Sequence, residues 1–147
     1  MLKQLLDADS VYVGLRVSSV SRLLSRLATA LALPDGLDEE TIQLALLTRE
    51  QLNSTALGYG VALPHAAIPG LKRSAACFMR LERRLPMGAP DGEPVDLVCA
   101  LIVPDTFTDQ KLLLLAEVAE RLGSATRRQA LRSAPDAQAV YAELVRA

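Results

Sequence analysis

"LTREQLNSTALGYGVALPHA", residues 47–66, contains the only histidine of the chain, His65, behind two glycines and a proline. A lone histidine in a small domain is more often a hydrogen-bonded structural residue than a reactive one, so its neighbours must decide its role. Upstream, "LDEETIQLALLTRE" places acidic residues where a helix N-terminus favours them and predicts a helix from about Asp38 to Arg49 or Gln51. The stretch therefore runs from a helix end, through a glycine-containing turn, into the histidine. "GYG" is not the start of a dinucleotide fingerprint, because Leu63 stands where GxGxxG needs its third glycine. Gly58 and Gly60 read instead as positions of positive φ or close backbone approach, and Pro64 stiffens the residue beside His65.

Working outward, "VYVGLRV" (Val11 to Val17) alternates β-branched residues and predicts a first strand. Ser18 or Ser19 can cap the helix that follows, in which Leu23, Leu24, Leu27 and Leu31 recur at helical spacing and "LPDG" supplies the stop. After the histidine, "SAACFMRL" and "VDLVCALIVP" are apolar runs suited to buried strands, with a turn at "PMGAPDGEP". Thr108 or Asp109 can cap a helix reaching Gly123, whose position suits a C-cap. Further helices are expected over Thr126 to Leu131 and from about Asp136. Strands and helices alternate without repeats or linkers, which predicts one three-layer α/β domain over residues 1–147.

Composition excludes several function classes. At 147 residues the chain buries an adequate core without disulfide or metal. Only 3% of residues are aromatic and the formal net charge is −1, so nucleic acid is not an expected partner. Cys77 and Cys99 form no CxxC pair and read as buried, reduced core residues, and a single histidine leaves no common zinc ligand set. "MLKQLLDADS" is not a signal sequence, and no apolar run approaches the ~20 residues needed to span a bilayer, so a cytoplasmic location without membrane insertion is expected.

A nucleophilic imidazole needs an unprotonated nitrogen, a hydrogen bond that fixes its tautomer, and donors around an incoming anion. Arg49, Ser54 and Thr55 are candidate donors: arginine offers a planar fork matched to phosphoryl oxygens, and hydroxyls satisfy further acceptors. The alternatives are an Arg49–Glu50 pair at the helix end and hydroxyls that merely cap a turn. Arg83, Arg84, Arg127 and Arg128 are most simply solvated.

"LLTREQLNSTALGYGVALPHA" resembles the phosphorylation-site signature of the fructose/mannitol-type enzyme IIA domains of the bacterial phosphotransferase system. The RE pair, the ST pair, the spaced glycines and the PHA end carry the match, which continues through "GEPVDLVCALIVP" and "LLLLAEVAERL" and spans about Leu5 to Val145. A free-standing chain without an attached enzyme IIB or permease segment is most similar to the nitrogen-related regulatory members. The resemblance implies a mixed β-sheet with helices on both faces. It also implies a phosphocarrier whose His65 accepts a phosphoryl group from a phosphorylated HPr-like protein, HPr or its nitrogen-branch counterpart NPr. Regulated cytoplasmic proteins are the implied downstream partners; the alternative is a sugar-uptake relay to a fructose- or mannitol-type enzyme IIB. No cofactor or metal is implied. The family commonly carries a second histidine after the "LIVP" strand, and Lys111 stands at the matching place. It can supply a cation near a helix N-terminus, or be a solvated surface lysine.

Overall fold

The computed structural model describes residues 1–32 and 37–147. The "LPDG" stop is residues 33–36 and lies outside the described residues. A short helix α1 (Leu2–Leu5) leads to strand β1 (Val11–Leu15), helix α2 (Val20–Ala32) and helix α3 (Glu39–Leu52). Short strands β2 (Ala56–Gly58), β3 (Val61–Ala62) and β4 (His65–Ile68) precede the long β5 (Ala75–Leu85) and β6 (Val95–Pro104). Helices α4 (Thr108–Leu122), α5 (Ala125–Ser133) and α6 (Ala137–Val145) complete the chain.

The sheet runs β1-β5-β6-β3-β2, with β4 also on β6. It is mixed: β1 is parallel to β5, β3 and β4 are parallel to β6, and the β5–β6 and β2–β3 pairs are antiparallel. Alternation sends side chains to two cores. On one face the buried leucines of α2, with Ile42 and Leu46 of α3, cover Cys77, Met79, Val98, Ala100 and Ile102. On the other, Leu114 and Val118 of α4, Leu131 of α5 and Val140 and Leu144 of α6 cover Phe78, Leu97, Cys99 and Leu101. Cys77 and Cys99 are therefore buried in different layers. At about 1.5–3 kcal/mol per buried leucine side chain, these two faces hold the layers together.

Local chemistry sets most helix starts. Ser19 Oγ accepts from Arg22 N, Asp38 accepts from Glu40 N and the Thr41 hydroxyl, Ser124 accepts from Arg127 N and Asp136 accepts from Ala139 N, each satisfying a first-turn donor. Helix α4 departs from expectation. Its N-cap is Phe107, with no side-chain cap, so Thr108 is already helical and Asp109 acts only as a first-turn acid. Gly123 is its C-cap but adopts a right-handed conformation, φ −73°. Strand β1 also stops at Leu15, short of Val17.

The larger difference lies in the opening stretch, which is a strand pair as well as a turn. β2 and β3 form a tight hairpin whose tip has positive φ at Gly58 (105°), Tyr59 (57°) and Gly60 (79°). A Cβ on Gly60 would overlap the Arg132 guanidinium and lie 2.8 Å from Asp96 Oδ1, so glycine is required there for space as well as for φ. Strands β3 and β4 pair with β6 in one continuous register, from Val61 opposite Leu97 to Ile68 opposite Pro104. Only Leu63–Pro64 interrupts the strand, because proline has no N–H to give the ladder, while its carbonyl still accepts from Leu101 N. His65 is the first residue beyond that interruption.

Candidate active site

His65 begins β4, half-buried, at the side of β6. Its Nδ1 lies 2.8 Å from the carbonyl oxygen of Leu63, two residues back. A carbonyl only accepts, so Nδ1 carries the proton and donates it, and the lone pair of the neutral ring is on Nε2. Burial holds the ring's pKa below its ordinary 6.5. The Leu63 carbonyl and Glu50 oppose that shift, whereas the Arg49 and Lys111 charges reinforce it. The imidazole is therefore neutral at pH 7, with its free nitrogen unprotonated.

That ring sits in a depression of about 310 Å³ between the two helical layers. From α3, Ala45, Thr48, Arg49 and Leu52 line it at intervals that place them on one helix face. From α4 comes Lys111. Arg49 Nη1 donates to both the backbone carbonyl and the side-chain Oδ1 of Asn53, at 2.9 and 3.0 Å. Its other guanidinium nitrogens have no hydrogen-bond partner among the described residues, and the anticipated Arg49–Glu50 pair does not form. Glu50 instead turns to Thr55, accepting from its backbone N at 2.8 Å and from its hydroxyl at 2.6 Å.

Of the five candidate residues, the structure gathers Arg49, His65 and Lys111 around one depression. Ser54 and Thr55 do not line it. The Ser54 hydroxyl donates to the Met87 carbonyl and accepts from Ala56 N, and Thr55 is 4% exposed against Glu50. Both hydroxyls hold the turn that carries the chain from α3 to the histidine. Thr48 and Leu52 went unrecognised in the sequence, although Leu52 lies three residues on from Arg49 and four from Thr48, on one helix face. Leu52 is 78% exposed; Leu44 on α3 and Leu112 and Leu113 beside Lys111 are also exposed. Cations beside a neutral nucleophilic nitrogen, with apolar side chains nearby, suit an anion delivered by another macromolecule.

Two arginines expected to be solvated are structural. Arg128 is buried, donates to the Leu122 carbonyl and lies 4.5 Å from the Tyr59 ring centre. Arg127 donates to the carbonyls of Glu143, Leu144 and Arg146, the unsatisfied acceptors at the end of α6. Among the described residues no cluster of His, Cys, Asp or Glu could hold a metal ion, and no helix is long and apolar enough to cross a membrane.

Comparison with known proteins bears on the family and the fold. The chain is 36% identical over 143 residues to the nitrogen regulatory protein of Bradyrhizobium diazoefficiens, covering 97% of this chain and 94% of that protein. It is 37% identical over 142 residues to the nitrogen regulatory protein of Pseudomonas aeruginosa, covering 95% and 92%. The crystal structure of nitrogen regulatory protein IIA-Ntr from Neisseria meningitidis superposes with a TM-score of 0.92 at 31% identity, over 97% of this chain and 98% of that one. Residues 4–146 match the family described as phosphoenolpyruvate-dependent sugar phosphotransferase system, EIIA 2. With the same fold, nearly the whole length matched and regulatory relatives above 30% identity, this chain belongs to the type-2 enzyme IIA family of the phosphotransferase system.

Proposed function

We propose that the chain is a cytoplasmic, single-domain phosphocarrier whose His65 Nε2 accepts a phosphoryl group from a phosphorylated HPr-like protein, HPr or NPr. Its charged or uncharged state then selects regulated partner proteins in the nitrogen branch. The observation that carries this reading is the bond from His65 Nδ1–H to the Leu63 carbonyl. It leaves Nε2 as the nucleophile, and no general base is needed because that nitrogen bears no proton. In the transfer, the Nε2 lone pair forms the new N–P bond while the donor nitrogen leaves with the electrons of the old one. Arg49 and Lys111 meet the charge on the phosphoryl oxygens, and the exposed leucines beside the site give the donor an apolar seat that excludes water. The names of the relatives at 36% and 37% identity favour the regulatory branch over a sugar relay.

Incubation with phosphoenolpyruvate, enzyme I and the HPr-like carrier, followed by intact mass measurement, tests this. The expected result is one acid-labile, alkali-stable phosphoryl group on the wild type and none on His65→Ala. Undiminished labelling of the alanine variant overturns the assignment.

A further inference from the structure

A second concavity lies at the other end of the sheet. β5 runs from Ala76, level with Leu101 and hence with His65, to Arg83 and Arg84. At ~3.3 Å per residue that is roughly 25 Å away. There a cleft of about 660 Å³ opens between the end of β1, the first turns of α2 and the end of β5. Five arginines line it, Arg16, Arg22, Arg26, Arg83 and Arg84, although the Arg84 guanidinium is turned towards Asp96. Arg22 and Arg26 are one helical turn apart on the same face.

The charges there are not balanced. Arg16 pairs with Glu82 at 2.7 Å, but both side chains are more than half exposed, and such pairs exchange readily for a better anion. Arg84 reaches Asp96 only at 3.7 Å, and Arg132 already holds both oxygens of that carboxylate. Among the described residues no ion pair engages Arg22, Arg26 or Arg83. In a chain of net charge −1 this excess is local rather than a general basicity. The hydroxyls of Ser18 and Ser25 add donors, the α2 N-terminus adds its dipole, and Val17, Leu85 and Pro86 supply an apolar wall. The volume lies within the ~300–1,000 Å³ range of small-ligand sites, and the arginines surround a hollow rather than line an extended stripe.

We propose that this cleft binds a small multiply phosphorylated anion of nucleoside di- or triphosphate size. Guanidinium forks grip its phosphates in bidentate fashion, and its remaining body lies on the apolar wall. The site is separate from His65 and does not depend on the role assigned to that residue.

Titrating ATP into isotope-labelled full-length protein at 150 mM salt, followed by amide NMR, tests the inference. Saturable shifts are expected around residues 16–26 and 83–86, with inorganic triphosphate competing and adenosine alone inert. The Arg22→Gln/Arg83→Gln double variant, with an unchanged unfolding temperature, should weaken binding at least tenfold. The proposal fails if ATP does not saturate or if the shifts centre on His65. It fails equally if the double variant binds like wild type, or if a poly-glutamate peptide or a single-stranded oligonucleotide binds more tightly than ATP and triphosphate.

Discussion

At the start of the Val61–Ile68 segment, the turn around Tyr59 holds its cations fast. Arg132 donates to both oxygens of Asp96 and to the Tyr59 carbonyl, Arg128 pairs a backbone carbonyl with the Tyr59 ring, and Asp91 accepts from Tyr59 N. A few residues on, at His65, Arg49 spends one nitrogen on Asn53, and the Lys111 side chain makes no ion pair among the described residues. The same residue types thus do opposite work at the two ends. Where the cations are tied to a carboxylate, backbone carbonyls and a ring, the backbone is held in a costly positive-φ turn; where no carboxylate engages them, charge is available to a visitor. The first end is paid for in stability and should be read there, and the second should be read in transfer kinetics.

The largest effect expected of breaking this contrast comes from Arg132→Met. It leaves Asp96, 8% exposed, with only the distant Arg84, and leaves the Tyr59 carbonyl without its donor. Stability should fall by about 3 kcal/mol in urea titrations, with transfer per folded molecule unchanged. An unchanged urea midpoint would collapse the comparison from the structural side. Next is Arg49. Replacement by Ala should slow phosphoryl acceptance roughly a hundredfold, and by Lys roughly tenfold, because lysine keeps the charge and loses the fork. Unfolding free energy should move by about 0.5 kcal/mol or less in either case. Wild-type rates in Arg49→Lys would discard the fork.

A smaller effect is expected at Lys111. Lys111→Met should shift the phosphorylation equilibrium by about tenfold or less, and Lys111→His should restore transfer, with the difference largest at low ionic strength. Identical behaviour of wild type and Lys111→Met at low salt would return the lysine to the solvated surface. The smallest signal is in pH. Because burial lowers the His65 pKa, acceptance should hold level as pH falls past 6.5 and decline only below it. Acid protonates the unfolded chain first, so the stability linked to this group is present above 6.5 and drains away as pH falls through the lowered folded value. A ring titration by proton NMR reads the inflection directly, and a midpoint above 6.5 would contradict the burial argument.

Legibility followed sequence distance. Caps such as Ser19, Asp38 and Asp136 act over two or three residues, and the leucine spacing of α2 reports its own face, so helices and layers were readable. His65 was readable because glycine, proline and histidine fall within one short stretch. Strands of two to four residues, interrupted at Pro64, carry no alternation to detect, so β2, β3 and β4 were hidden. The aim of the Ser54 and Thr55 hydroxyls depends on Met87 and Glu50, which spacing does not reveal. Arg128 and Arg132 were equally opaque: what draws them inward is a carbonyl at Leu122 and a carboxylate at Asp96, and arginine alone is ordinarily a surface residue.

Cys77 and Cys99 sit on neighbouring strands yet face opposite helical layers, and the sheet between them keeps their thiols from ever meeting. Burial pushes the Cys99 thiol up to about 12 and raises that of Cys77 as well, so neither reacts while its covering helices stay closed. Each layer thus carries its own clock. The rate at which an alkylating reagent reaches Cys77 times the lifting of α2 and α3, and the rate at Cys99 times the lifting of α4 to α6. Because Arg49 rides on the first layer and Lys111 on the second, local opening on either flank of the histidine can be measured separately in one unaltered molecule, with and without the phosphoryl group in place.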